Sequence, residues 1–163
     1  MKTHRLVNRR GNSVTFIALG GAITAIEMPN RNGRRANVAL AFADLDAYAT
    51  QRIYLGCIVG RYANRIAGAR FSLDGVEYCL AATDRGSCVH GGLVGFGKAV
   101  WRVERDTEQS AILTHHSPDG DDGFPGNLDV TVRYALTDAD ELRIEYEAIA
   151  DRPTLVNLTN HSY

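Results

Sequence analysis

From Asn127 to Thr137 the chain alternates without interruption. Leu128, Val130, Val132, Tyr134 and Leu136 fall on one parity, and Asp129, Thr131, Arg133 and Ala135 on the other. A period of two is what a strand with one buried and one wet face imposes, and a helix cannot satisfy it. Glu141 to Ala150 repeats the pattern, with Leu142, Ile144, Tyr146 and Ala148 set against Arg143, Glu145 and Glu147. The turn Thr137-Asp138-Ala139-Asp140 between them predicts an antiparallel hairpin. A second hairpin is predicted over 70–80, where Asp74-Gly75 supplies the two positive-φ positions of a type I′ turn. Ser13 to Leu19, Ala22 to Met28, Arg35 to Phe42 and Ile53 to Val59 read as further strands. Ser117-Pro118-Asp119-Gly120 and Phe124-Pro125-Gly126-Asn127 carry turn chemistry. No helical pattern of convincing length appears. The expectation is an all-β chain, a single antiparallel β-sandwich domain over 1–163.

Composition narrows the function. With 163 residues, 45% of them hydrophobic, the chain can bury one substantial core. A net charge of −1 with mixed signs offers no field to steer it to nucleic acid or to an anionic membrane. The closest approach to a basic cluster, Arg31, Arg34 and Arg35, reads as a solvated turn. No apolar run is long enough to span a bilayer, and Met1 to Leu6 has no apolar core, so a cytoplasmic location is expected. Cys57, Cys79 and Cys88 are odd in number and lack CxxC spacing, which argues against a disulfide framework and a zinc site. Cys57 and Cys79 are expected to pack as small hydrophobes. Asp121-Asp122, with His115-His116 upstream, misses the calcium-loop pattern at Gly123 and reads as a solvated loop. Neither a metal nor a cofactor is expected. The sequons at Asn157 and Asn160 carry no meaning in that compartment.

Two segments carry chemistry. Thr154 to Leu158 is apolar and β-branched enough for a strand, and it runs on into Thr159-Asn160-His161-Ser162-Tyr163. The pleat puts Leu155, Asn157, Thr159 and His161 on one face and Val156, Leu158, Asn160 and Ser162 on the other. Amides and hydroxyls leading to a histidine suit a cleft for a polyhydroxylated ligand, with His161 moving a proton. Taken by itself, the stretch reads first as a strand end fraying into solvent with His161 an ordinary surface histidine; a second histidine segment upstream reverses that order. The second segment, Ser87 to Trp101, places His90 ahead of Gly91, Gly92, Gly95 and Gly97, where backbone can approach a ligand closely. Gly92 to Lys98 spells most of a phosphate-binding loop, but Ala99 lacks the hydroxyl needed for Mg²⁺ and the flanks are not strand-then-helix.

These pieces together resemble the N-terminal part of an aldose 1-epimerase, the galactose mutarotase family. The matching stretches are Gly60-Arg61-Tyr62-Ala63-Asn64-Arg65-Ile66-Ala67, the Asp74-Gly75 hairpin, and His90-Gly91-Gly92 through Gly95-Phe96-Gly97-Lys98 to Trp101. Ser117-Pro118-Asp119-Gly120 through Phe124-Pro125-Gly126, and Val156 to Tyr163, complete the set in the family's order. The resemblance implies a large β-sandwich with a sugar site in an open cleft. It implies that Asn64 and Arg65 hold sugar hydroxyls, that His90 hydrogen-bonds near the reacting oxygens, and that His161 is the general acid.

The implied chemistry suits these residue types. Exchanging α and β anomers removes the O1 proton, protonates the ring oxygen and opens the ring to an aldehyde. Rotation about C1–C2 and closure on the other face complete it. An imidazolium, with a pKa of about 6.5, carries its proton near neutrality and still releases it. An arginine stays charged and can fork onto two hydroxyls. In the family a glutamate base and a second sugar-binding acid lie in a C-terminal half, beyond Tyr163. Glu27, Glu77, Glu104, Glu108, Glu141, Glu145 and Glu147 read as outward strand residues or turn flanks. The chain is therefore expected to correspond to the N-terminal portion of such a domain, either a fragment of a longer gene product or a truncated homologue, and to be inactive on its own. Two rivals remain: a non-catalytic carbohydrate-binding sandwich using Asn64, Arg65 and His90, and a hexose-6-phosphate 1-epimerase. The latter would need cations such as Lys98 or the Arg61/Arg65 pair for the phosphate.

Overall fold

A computed structural model describes residues 1–105 and 107–163. In chain order the strands are β1 (Thr3–Val7), β2 (Ser13–Ile17), β3 (Ile23–Pro29) and β4 (Arg35–Asn37), followed by a helical turn α1 (Ala47–Thr50). Short strands β5 (Ile58–Val59) and β6 (Arg65–Ile66) precede the hairpin β7 (Arg70–Leu73) and β8 (Val76–Cys79). Then come β9 (Cys88–Val89), a second helical turn α2 (Gly95–Lys98), and β10 (Arg102–Arg105). The long strands β11 (Ser110–Ser117), β12 (Leu128–Leu136) and β13 (Leu142–Ala150) lead to β14 (Thr159–Asn160).

Two four-stranded antiparallel meanders, β1-β2-β3-β4 and β10-β11-β12-β13, form the sandwich. The alternation in β12 is realised in full: Leu128, Val130, Val132, Tyr134 and Leu136 are all buried. At about 1.5–3 kcal/mol each, these five side chains alone fix which face of the strand turns inward. They meet Leu6, Val14, Phe16 and Ile23 of the other sheet, with Phe16 edge-on to Tyr134 at 5.3 Å. The predicted hairpins form. Asp74 and Gly75 both take positive φ, at 51° and 78°, as a type I′ turn requires. The 137–140 turn also latches the two sheets together, because Asp140 accepts from the side-chain amides of Asn8 and Asn12 at 2.8 and 2.7 Å.

Several elements differ from expectation for local reasons. The strand predicted over Arg35 to Phe42 stops at Asn37, whose side-chain oxygen accepts from the backbone of Ile26 and Ala39, ending the ladder. Only Ile58–Val59 of the predicted Ile53–Val59 strand is extended, since Tyr54 and Gly56 take φ of 58° and 72°. At the C-terminal end, regular pairing begins at Thr159; upstream of it Asn157 makes a single parallel bridge to Tyr62. Cys57 packs inside, with burial pushing its thiol up to about 12. Cys79 does not pack inside: the hairpin's alternation turns it outward and exposed. Asp121 and Asp122 are not a solvated loop. Both are half-buried in a 3₁₀ turn and hold neighbouring segments. Arg35 leaves the predicted basic turn to donate to Asn12 at 2.6 Å.

Candidate active site

One stretch of chain, Cys57 to Ile66, brings both histidines to the same place. Its first part pairs with the end of the chain: β5 lies antiparallel to β14, and His161 donates its N–H to the Cys57 carbonyl at 2.8 Å. Its last part pairs with β9, after which the His90 N–H donates to the Asn64 carbonyl at 3.0 Å. The segments carrying His90 and His161, distant in sequence, therefore flank a common scaffold. Their rings lie 5.0 Å apart, centroid to centroid, at an interplanar angle of 83°. Tyr54 packs against both, at 4.5 Å from His90 and 6.1 Å from His161, and Tyr163 covers His161 at 4.9 Å.

Glycine is required behind His90. A Cβ on Gly91, at φ +94°, would stand 1.8 Å from the Gly60 carbonyl oxygen. The same loop is clamped from below by Asp122, whose carboxylate accepts from the N–H groups of Leu93, Val94 and Gly95 at 2.8, 3.3 and 2.8 Å. Amides that a phosphate-binding loop would offer to its ligand are here occupied by a side chain of the protein itself. Beneath the loop, Phe96 and Trp101 enclose His115 at 5.1 and 5.3 Å.

Backbone strain gathers at the same place. Tyr54, Asn64 and His90 all take left-handed φ, at 58°, 66° and 54°. Such a conformation costs a side-chain-bearing residue about 1–2 kcal/mol and persists where the surroundings enforce it. At His90 the enforcing contact is reciprocal: the Asn64 N–H donates to His90 Nδ1 at 3.1 Å while the His90 N–H donates back. With Nδ1 accepting, the neutral ring carries its proton on Nε2, the nitrogen left for a ligand. Burial holds the His90 pKa below the ordinary imidazole value, with His161 and Arg65 adding repulsion.

The four residues singled out in the sequence are thus brought together. His90, His161 and Arg65 line an open cleft of about 720 Å³, in the range of small-molecule sites. Asn64 borders an adjoining hollow of about 420 Å³ that shares His90, His161 and Tyr163 with the first. Arg65 is oriented by Asp84, which accepts from Nε and Nη2 at 3.0 and 2.7 Å. Asn160, on the strand face opposite His161, braces the core by donating to the Gly56 carbonyl at 3.1 Å and the Tyr134 hydroxyl at 3.4 Å. Arg61 is not available to a ligand. It is buried, and its five N–H groups donate to Ser117, Pro118, Pro125 and Thr154.

Sequence reasoning missed Tyr54, Asp84, Asp122 and Tyr163. Only Gly56, a bend marker two residues on, hinted that Tyr54 leaves the strand. Of the described residues lining the two hollows, none is a glutamate, and Asp84 is the carboxylate present. Also among the described residues, no three His, Cys, Asp or Glu side chains cluster as metal ligands, and no helix is long and apolar enough to cross a membrane.

The sequence model of the family described as aldose 1-epimerase matches residues 2–163. Galactose mutarotase of Homo sapiens is 45% identical over 150 residues, covering 92% of this chain and 43% of that protein. Aldose 1-epimerase of Escherichia coli (strain K12) is 37% identical over 163 residues, covering 98% of this chain and 47% of that protein. Among solved structures, the GalM/aldose epimerase homologue from C. elegans superposes with a TM-score of 0.95 at 31% identity, over 99% of this chain and 50% of its own. Galactose 1-epimerase from Lactobacillus acidophilus NCFM gives 0.81 at 27% identity, over 100% of this chain and 53% of its own. The chain spans about half the length of these relatives.

Proposed function

The chain belongs to the aldose 1-epimerase family, and from that premise we propose that it builds the acid half of a mutarotase site for aldohexoses such as galactose and glucose. The observation that carries this reading is the pair of imidazoles 5.0 Å apart in an open cleft beside Arg65. In the proposed reaction the His161 ring gives a proton to the ring oxygen as the C1–O5 bond breaks. The O1 hydroxyl gives its proton to a carboxylate base, and the electron pair left on O1 forms the aldehyde C=O. Rotation about C1–C2 and the reverse transfers yield the other anomer. His90, neutral and donating through Nε2, bonds the oxygens near the reacting carbon. Arg65 and Asn64 hold hydroxyls away from it.

The base is assigned to a glutamate outside these residues, as in the family pattern, so this chain by itself is expected to leave mutarotation at its spontaneous rate. A phosphorylated hexose is less favoured: Arg61 is spent inside the fold, Arg65 is paired with Asp84, and Lys98, though it lines the cleft, donates to the Leu93 carbonyl at 3.0 Å. A purely sugar-binding role is less well supported than catalysis, since binding alone gives no reason to place two imidazoles ring against ring. Polarimetry on freshly dissolved α-D-galactose and α-D-glucose tests the proposal. The complete gene product should speed the approach to anomeric equilibrium; a rate equal to that of buffer, with sugar still bound, would return the site to the binding-module reading.

A further inference from the structure

Resting on the mutarotase reading, we propose that Asp84 is a positioning residue that presents Arg65 to a pair of adjacent sugar hydroxyls. A guanidinium has five N–H donors in one plane. The Nε and Nη2 edge of Arg65 is taken by a single oxygen of Asp84, at 3.0 and 2.7 Å, and Nη1 donates to the Asn64 side-chain oxygen at 3.3 Å. That leaves one N–H on Nη1 and one on Nη2, on neighbouring nitrogens, for a ligand. Two parallel donors from neighbouring nitrogens match two acceptor oxygens on neighbouring carbons, which is the chemistry of a vicinal diol.

Asp84 is itself held firmly. The segment it sits on is strapped by Thr83 N–H to Ser87 O at 2.9 Å, Asp84 N–H to Ser87 O at 3.0 Å and Ser87 N–H to Asp84 O at 2.8 Å. The Thr83 hydroxyl accepts from the Val89 N–H at 2.9 Å, tying that segment to the strand that leads into His90. Asp84 and Arg65 both line the cleft, with 34% and 57% of their side chains exposed. An ion pair that open contributes little to stability. Its geometry accounts for it better than its energy does: it removes the rotamer freedom of a long side chain at the point where a ligand would otherwise have to freeze it.

The test is a substrate–variant cycle in the complete gene product, using D-galactose and its 2-, 3-, 4- and 6-deoxy analogues with the wild type, Asp84→Asn and Asp84→Glu. In the wild type, loss of either of two adjacent hydroxyls should raise KM about tenfold or more, as for a lost hydrogen bond to a charged donor. Asp84→Asn should raise the KM for galactose by about the same factor, leave kcat within about twofold, and flatten the deoxy penalties at those two positions. Asp84→Glu should restore part of the discrimination. An unchanged KM and unchanged deoxy pattern in Asp84→Asn would overturn the proposal, and so would a collapse of kcat at constant KM, which would make Asp84 a base. A wild type without activity would overturn the mutarotase reading instead. The Arg65 Nε–H resonance then decides the tether separately: protected in the wild type and exchange-broadened in Asp84→Asn if the proposal holds, equally exposed in both if it does not.

Discussion

His90 accepts a hydrogen bond at Nδ1 from the backbone N–H of Asn64, at 3.1 Å, and that contact decides where its own proton sits. A ring whose Nδ1 is occupied by a donor stays neutral with the proton on Nε2. Burial among Tyr54, Gly91 and the His161 ring pushes the same way, against the imidazolium.

Two-dimensional ¹H–¹⁵N spectra of the imidazole nitrogens should therefore show His90 as the Nε2–H tautomer, titrating below the ordinary value of about 6.5. A dominant Nδ1–H form would remove the Asn64 contact from the account.

Stability should fall on the acid side in two stages. Burial lowers the pKa of His4, His90 and His115. At His115, Asp121 works against that shift while His116 and Arg61 add to it. Below the ordinary imidazole value the unfolded chain binds protons that the folded chain refuses, so stability is present above about 6.5 and is lost as pH falls toward the lowered folded values. The carboxylates of Asp119, Asp138, Asp140 and Asp151 are hydrogen-bonded and also lowered, so their contribution is lost at more acid pH. Thermal melts from pH 7.5 to 3 should show a first decline below about 6.5, and His115→Phe, which keeps a ring against Phe96 and Trp101, should flatten part of it. A flat profile down to the carboxylate range would contradict the histidine assignments.

Asp122→Ala should loosen the loop behind His90. Three backbone N–H groups lose a charged acceptor, which at the usual worth of such bonds costs on the order of 2–3 kcal/mol after water replaces part of it. Urea denaturation gives the number. Hydrogen exchange at Leu93, Val94 and Gly95 should accelerate well beyond that of β12, and unchanged protection there would refute the clamp.

Much of the sandwich was legible because its signal is local. The alternation of β12 and β13 and the Asp74-Gly75 turn each depend on a few consecutive residues. Of the candidate site, His90 and His161 stand out in the sequence because they lie in a glycine-rich and a polar run unusual for a sandwich, whereas Asn64 and Arg65 are reached only through the family resemblance. What could not be read are contacts between segments far apart in the chain. Asp122 reaches the amides of a loop 27 to 29 residues upstream, and Asn37 ends β4 by taking the place of a backbone acceptor for Ile26. Cys79 was misplaced for a simpler reason: an apolar neighbourhood does not say which parity of a hairpin faces out.

Whether His161 supplies the proton that opens the ring is decided by His161→Asn in the complete gene product, followed by polarimetry on α-D-galactose. The substitution retains a polar side chain at the cleft and leaves untouched the His161 backbone bonds to Cys57 and Gly56. The expected loss in kcat is about two to four orders of magnitude, with KM moving far less because the proton passes only in the transition state. A variant that folds, binds galactose and keeps a kcat near that of the wild type would contradict it.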